Sequence, residues 1–255
     1  MALFLKRKYF LKKKLAIVKE KRILVVGGSS GIGRGIAKCF LDLDAEVCIT
    51  GTKKDIKDYG IEDVVSQKSE YLQLDLLEPQ ALNNVVVPFD SLDVLVCSQG
   101  IVHYKRKEFE MEVFREVLDL NLTSMMACCQ KFKPLMTNAG ANIMLLGSGA
   151  SYNAIRGNPA YSASKGGILT LLKTLAEAWA REGIRVNGIA PGFVATKLTE
   201  VTFKDKNRYQ SSLKSIPLAR WGEAEDIGHT ACFLASSKAS YICLLYTSPS
   251  PRDRG

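Results

Sequence analysis

The stretch that decides the fold runs from Ile23 to Leu43, ILVVGGSSGIGRGIAKCFLDL. Four apolar residues, Ile23 to Val26, lead straight into the turn GGSSGIGRG, and the turn opens a helical pattern. Gly27, Gly31 and Gly33 punctuate it, with Ser29, Ser30 and Ile32 between them. A strand that ends in such a turn at a helix start offers free backbone N–H groups and a positive dipole end to a pyrophosphate. Glycine lets the backbone approach the phosphates closely. The strand before it and the helix after it give the glycine pattern its weight.

The same texture repeats outward. AEVCIT (45–50), SEYLQLDL (69–76), SLDVLVCSQG (91–100), NIMLLGS (142–148) and IRVNGIA (184–190) read as strands, with long helical patterns over about 111–136 and 159–182. Strands alternating with helices of this length predict an α/β fold, a doubly wound parallel sheet flanked by helices on both faces. No fixed-period repeat and no interdomain linker interrupts it, so residues 21–242 read as one dinucleotide-binding domain.

Chemistry concentrates in LLGSGASYNAIRGNPAYSASK (145–165). A helix from about Pro159 puts Tyr161 and Lys165 on one face, a turn apart. A phenol near its ordinary pKa of about 10 is a poor acid-base group at neutral pH. A nearby ammonium favours the phenolate and makes the hydroxyl usable. Ser148 follows the apolar run 143–146 and so sits at a strand end, where it and Tyr161 could hold a carbonyl oxygen between two hydroxyls.

The G-x-x-x-G-x-G turn, with Ser148, Tyr161 and Lys165 downstream, resembles the classical short-chain dehydrogenase/reductase family over about residues 20–242. Asn121 in DLNLTS matches its central asparagine, RVNGIAPGFVAT (185–196) its Pro-Gly turn beside the nicotinamide, and RWGEAEDI (220–227) its Arg-x-Gly-x-x-Glu segment. The resemblance implies a Rossmann-like fold and hydride transfer between a nicotinamide and a carbonyl or secondary alcohol. It makes Ser148 the group that polarises the substrate oxygen and Tyr161 the proton donor or acceptor. Lys165 holds the nicotinamide ribose and Asn121 anchors a water in the proton relay. The implied cofactor contacts are Gly27, Ser29, Ser30, Gly31, Ile32, Gly33, Thr52, Lys53, Asp75, Leu76, Ser98, Gly100, Tyr161, Lys165, Pro191, Gly192, Val194 and Thr196. The branch it most resembles holds 3-oxoacyl-carrier-protein reductases and sugar or polyol dehydrogenases. The substrate is therefore a small carbonyl or alcohol, free or carrier-bound, and the assembly a homodimer or homotetramer.

An acid at the end of the second strand would repel a 2′-phosphate. Here Gly51-Thr52-Lys53-Lys54 stands there, with no acid before Asp55, so NADP(H) is expected over NAD(H). Two departures from the family follow. Val26 replaces the threonine whose hydroxyl ties the turn to its neighbours. Ser98-Gln99 replaces Asn-Ala, with a bulkier side chain where the adenosine passes. Together with the C-terminus they support a second reading, a cofactor-binding relative without turnover.

Composition narrows the class further. The net charge of +9 is concentrated at the start, where residues 1–22 hold nine Lys/Arg against Glu20 alone. The body is near neutral, so no nucleic acid is expected. Residues 1–20 read as a basic extension, with membrane-surface contact and organellar targeting as the alternatives to a disordered or docked arm. The seven cysteines are scattered, which reads as buried reduced thiols in the cytoplasm and no metal. From Cys243 the family ending is replaced by CLLYTSPSPRDRG, which has the look of translated adapter sequence. Cys243 to Thr247 is apolar enough to imitate half of the family's last strand. Pro249 and Pro251 cannot join a ladder, so weaker assembly is expected.

Overall fold

The structure, a computed structural model, describes residues 18–243 and 246–247. Among them, seven strands form one all-parallel sheet in the order β3-β2-β1-β4-β5-β6-β7. The strands are β1 (Arg22–Val26), β2 (Glu46–Gly51), β3 (Glu70–Gln73), β4 (Val94–Cys97), β5 (Asn142–Leu146), β6 (Arg185–Ile189) and β7 (Tyr246–Thr247). The order reverses at β1, which pairs with β2 on one side and β4 on the other. Ligands of open parallel sheets bind beyond the carboxyl ends of the strands at such a switch point.

Side-chain alternation explains why both faces are covered. Ile23 and Val25 of β1 join one core with Ile36, Ala37 and Phe40 of α1 (Gly31–Leu41). Leu24 and Val26 point the other way, into a second core shared with the last two of the next three long helices. These helices are α2 (Met111–Leu118), α3 (Ser124–Phe132) and α4 (Pro159–Trp179). Two more long helices follow, α5 (Lys206–Lys214) and α6 (Ala224–Ala235), of which α6 packs beside α1 on the first face. From Ile23 to Val26 both β1 faces are wholly buried, which is why that run is apolar without alternation.

Several elements differ from the sequence expectation. The helix expected over about 111–136 is broken by a π turn, Asp119–Thr123, that carries Asn121. Such wide turns gather at functional sites. The third strand stops at Gln73, because Asp75 turns the chain by accepting the Leu77 N–H at 3.0 Å. The polar segment 197–218, with the look of a lid, folds into short helical pieces, among them Glu200–Phe203 and α5. Phe193, Phe203 and Tyr209 pack around the buried Trp221, with ring centroids 5.1 to 5.7 Å from it. The two residues of β7 pair in parallel with Gly188 and Ile189. The expectations for residues 1–17 and 248–255 fall outside the described residues. No helix among the described residues is long and apolar enough to cross a membrane.

Candidate active site

At the switch point the glycine turn must pass close to β4. Gly27 has φ +75°, and a Cβ there would lie 2.9 Å from the Gln99 amide nitrogen. At Gly33 a Cβ would lie 2.3 Å from the Gly27 carbonyl oxygen. Both positions therefore exclude any side chain, and the turn keeps a bare backbone cradle at the start of α1. The hydroxyl lost at Val26 is replaced from the neighbouring strand. Thr50, at the end of β2, accepts the Gly27 N–H at 3.1 Å.

Behind the turn, Arg34 is buried and holds three pieces of chain together. Its guanidinium donates to the Asp63 carboxylate at 2.6 and 2.9 Å, to the Ser29 carbonyl at 3.1 Å and to the Ile61 carbonyl at 3.2 Å. Such a planar fork fixes direction as well as distance.

A cavity of about 430 Å³ opens in front of the turn. Gly27, Ser29, Ser30, Gly31, Ile32 and Gly33 line its phosphate end, and Thr52, Asp75, Leu76 and Ser98 its adenosine side. Gly100, Tyr161, Lys165, Pro191 and Thr196 line the far end. Lys53, Gly192 and Val194 stay off the wall among the expected contacts, as do Asn121 and Ser148. The Lys53 ammonium donates to the Asp58 carbonyl at 2.5 Å and lies 5.0 Å from the centroid of the Tyr59 ring. Val194 is buried and bridges to Gly222.

At the far end, Pro159 starts α4, where its missing N–H costs nothing. Tyr161 and Lys165 then project from consecutive turns. The Lys165 ammonium donates to the Leu146 carbonyl at 2.9 Å and sits 5.7 Å from the centroid of the Tyr161 ring. Burial lowers its pKa to about 8. Gly100 lets Asn121 come close, since a Cβ there would stand 3.3 Å from the Asn121 Oδ1. Ser148 caps the helical turn Gly149–Ser151, its Oγ accepting the Ala150 N–H at 3.2 Å. The Asn121 amide accepts the Ile101 N–H at 2.8 Å and donates to the Ile101 carbonyl at 2.9 Å. Its side chain thus fastens the loop after β4, and a relay water would have to use its main chain.

Gln99 does not project across the adenosine side. Its side-chain nitrogen turns toward α3, donating to Ser124 Oγ at 3.0 Å, while its Oε1 is buried without a partner among the described residues. The sequence reading missed Tyr59 altogether. From the turn Ile56–Tyr59 this side chain reaches back to the cavity wall, where its hydroxyl accepts the Lys53 N–H at 3.1 Å. Nothing in its spacing marks it, because a loop brings it there. Among the described residues no group of three His, Cys, Asp or Glu side chains could hold a metal.

These features fit a dinucleotide: a glycine-rich phosphate cradle on a helix N-terminus, hydroxyls along the ribose side and a buried cation opposite. Comparison with known proteins agrees. A family model described as enoyl-(acyl carrier protein) reductase matches residues 26–244. The chain is 35% identical to a 2-dehydro-3-deoxy-D-gluconate 5-dehydrogenase of Bacillus subtilis, over 88% of this chain and 91% of that one. It is 36% identical to a 3-oxoacyl-[acyl-carrier-protein] reductase of Staphylococcus epidermidis, over 88% and 94%. Among solved structures, the RhlG/NADP active-site complex of Pseudomonas aeruginosa superposes with a TM-score of 0.79 at 27% identity, over 93% and 97% of the chains. The ligand-free aldohexose dehydrogenase of Thermoplasma acidophilum gives 0.80 at 25% identity, over 93% and 96%. With a family model over residues 26–244 and relatives 35 to 36% identical over 88% of its length, the chain belongs to the short-chain dehydrogenase/reductase family, NAD(P)-linked oxidoreductases of the CH–OH/C=O couple.

Proposed function

We propose that the chain is an NADP(H)-dependent reductase or dehydrogenase of a small carbonyl or secondary alcohol, with Tyr161 as its acid-base residue. The observation that carries this reading is the placement of Tyr161 and Lys165 on one face of α4, at the cavity end opposite the glycine turn. A bound nicotinamide supplies the hydride chemistry. The protein supplies position and protons. Tyr161 Oη gives a proton to the developing alkoxide, or takes one from the alcohol. Lys165, held by Leu146, stabilises the phenolate form and offers its ammonium to the ribose. Ser148 polarises the substrate oxygen, and Asn121 keeps the π turn and the loop after β4 in register.

Two observations support NADP(H). The wall at the end of β2 is Gly51, Thr52 and Tyr59, without a carboxylate. Asp55 and Asp58 are occupied in their own turn, capping it in both directions. The named activities of the curated relatives support a sugar-acid or 3-oxoacyl substrate. The family resemblance also supports a cytoplasmic homodimer or homotetramer. Against the second reading, binding without turnover, stands Gln99. The replaced fourth-strand motif leaves the ladder intact, with Ser98 donating to the Val26 carbonyl at 2.9 Å.

The test is fluorescence titration with NADPH and NADH, then loss of nicotinamide absorbance with an acetoacetyl thioester and 5-ketogluconate. The expected result is tighter NADPH binding and turnover that falls about 100- to 10,000-fold in Tyr161→Phe, the range for removing a general acid-base group. Binding without turnover on either probe would favour the inactive relative.

A further inference from the structure

Glu108 is fully buried, at 0% exposure, and pairs with no Lys or Arg among the described residues. Ionised carboxylates are rarely buried unless hydrogen bonds satisfy them. Three donors do so here. Oε1 accepts the His103 N–H at 3.0 Å and the Asn158 amide at 3.1 Å, and Oε2 accepts the Tyr161 N–H at 2.9 Å.

The donors belong to different parts of the site. His103 lies in the loop after β4, Asn158 is the cap residue of α4, and Tyr161 occupies the third position of that helix. The first N–H groups of a helix have no partner within it. Asn158 makes no side-chain cap, and its amide donates instead to the His103 carbonyl at 2.9 Å and to Glu108. Glu108 therefore takes over the capping of α4 from outside, and its negative charge suits the positive helix end. One turn later Lys165 is fastened to Leu146, and Asn121 donates to Ser164 Oγ at 3.2 Å.

We propose that Glu108 is a positioning residue for the reaction, pinning the backbone of Tyr161 so that its hydroxyl meets the substrate oxygen beside Ser148. This rests on the reading of Tyr161 as the acid-base residue. Because the same carboxylate holds His103, it also sets the loop after β4 against the catalytic turn.

The experiment compares Glu108→Ala, Glu108→Gln and Tyr161→Phe with the native chain. Turnover is counted per NADPH-binding site, so that unfolded protein drops out. The expected result is kcat per site reduced tenfold or more in Glu108→Ala and by less in Glu108→Gln, with NADPH affinity within twofold of native. A kcat per site within twofold of native in both, while Tyr161→Phe is inactive, would overturn the positioning role alone. Active Tyr161→Phe would instead overturn the reading beneath it. If Glu108→Ala yields no NADPH-binding protein, Glu108→Gln decides by the same criterion. Should neither carbonyl probe turn over, amide exchange of residues 159–165 decides. Faster exchange confined to that turn supports the role, and unchanged exchange removes it.

Discussion

The ammonium of Lys165 is bound to the main-chain oxygen of Leu146 at 2.9 Å in a place where the lysine is only 5% exposed. Burial brings its pKa to about 8. The folded value lies below the unfolded one, so between pH about 8 and about 10.5 the unfolded chain binds more protons. Stability of the cofactor-free protein therefore rises with pH across that window, by an amount on the order of 3 kcal/mol. Lys165→Met removes the buried charge. Denaturant unfolding of this variant is expected to show higher stability than native at pH 7, by about 1–3 kcal/mol, with the gap closing by pH about 10.5. Turnover should be lost in the same variant. A gap that is constant with pH would contradict this account.

Tyr59 joins the end of β2 to the adenosine side of the cavity. Its hydroxyl accepts the Lys53 N–H, and its ring lies under the Lys53 ammonium. Tyr59→Phe is expected to raise the Kd for NADPH about fivefold, the scale of one net hydrogen bond. The Kd for NADH should change less than twofold. Parallel fluorescence titrations of both cofactors check it, and equal losses for both would assign Tyr59 to loop shape alone.

Thr50 supplies the hydroxyl that Val26 lacks. Thr50→Val keeps the shape and leaves the Gly27 N–H without its acceptor, at a cost of about 1–3 kcal/mol. Urea unfolding should register that loss, with weaker binding of NADPH and NADH alike. In the double variant Val26→Thr, Thr50→Val, recovery of either quantity would mean that the two positions are interchangeable sources of one hydrogen bond.

The sheet was legible because its strands are apolar and short, and because glycine spacing and helix length leave a parallel layout as the simple solution. The catalytic turn was legible for the same reason: Tyr161 and Lys165 are neighbours in sequence, so helix geometry alone puts them together. What escaped is what the chain assembles across distance. The Tyr59 hydroxyl, the Thr50 acceptor and the Glu108 carboxylate reach their partners through loops or neighbouring strands, and no local pattern announces that. The π turn escaped for another reason. An extra residue in one turn leaves the apolar spacing of 111–136 nearly unchanged, although it alters where Asn121 points.

The strand order has a consequence for a chain still emerging from a ribosome. β1 carries the phosphate cradle, yet its edge toward β4 stays open until Val94 to Cys97 have been made. Gly27 then gains its wall from Ser98 and Gln99. Tyr161 and Lys165 come later still, and Pro191 and the stretch from Thr196 to Leu198 close the cavity last. Parallel pairings of this kind are slow to form, and an open apolar edge invites pairing with other chains. The half-made protein is thus most exposed to self-association at its future cofactor site, and dinucleotide can protect it only near the end of synthesis.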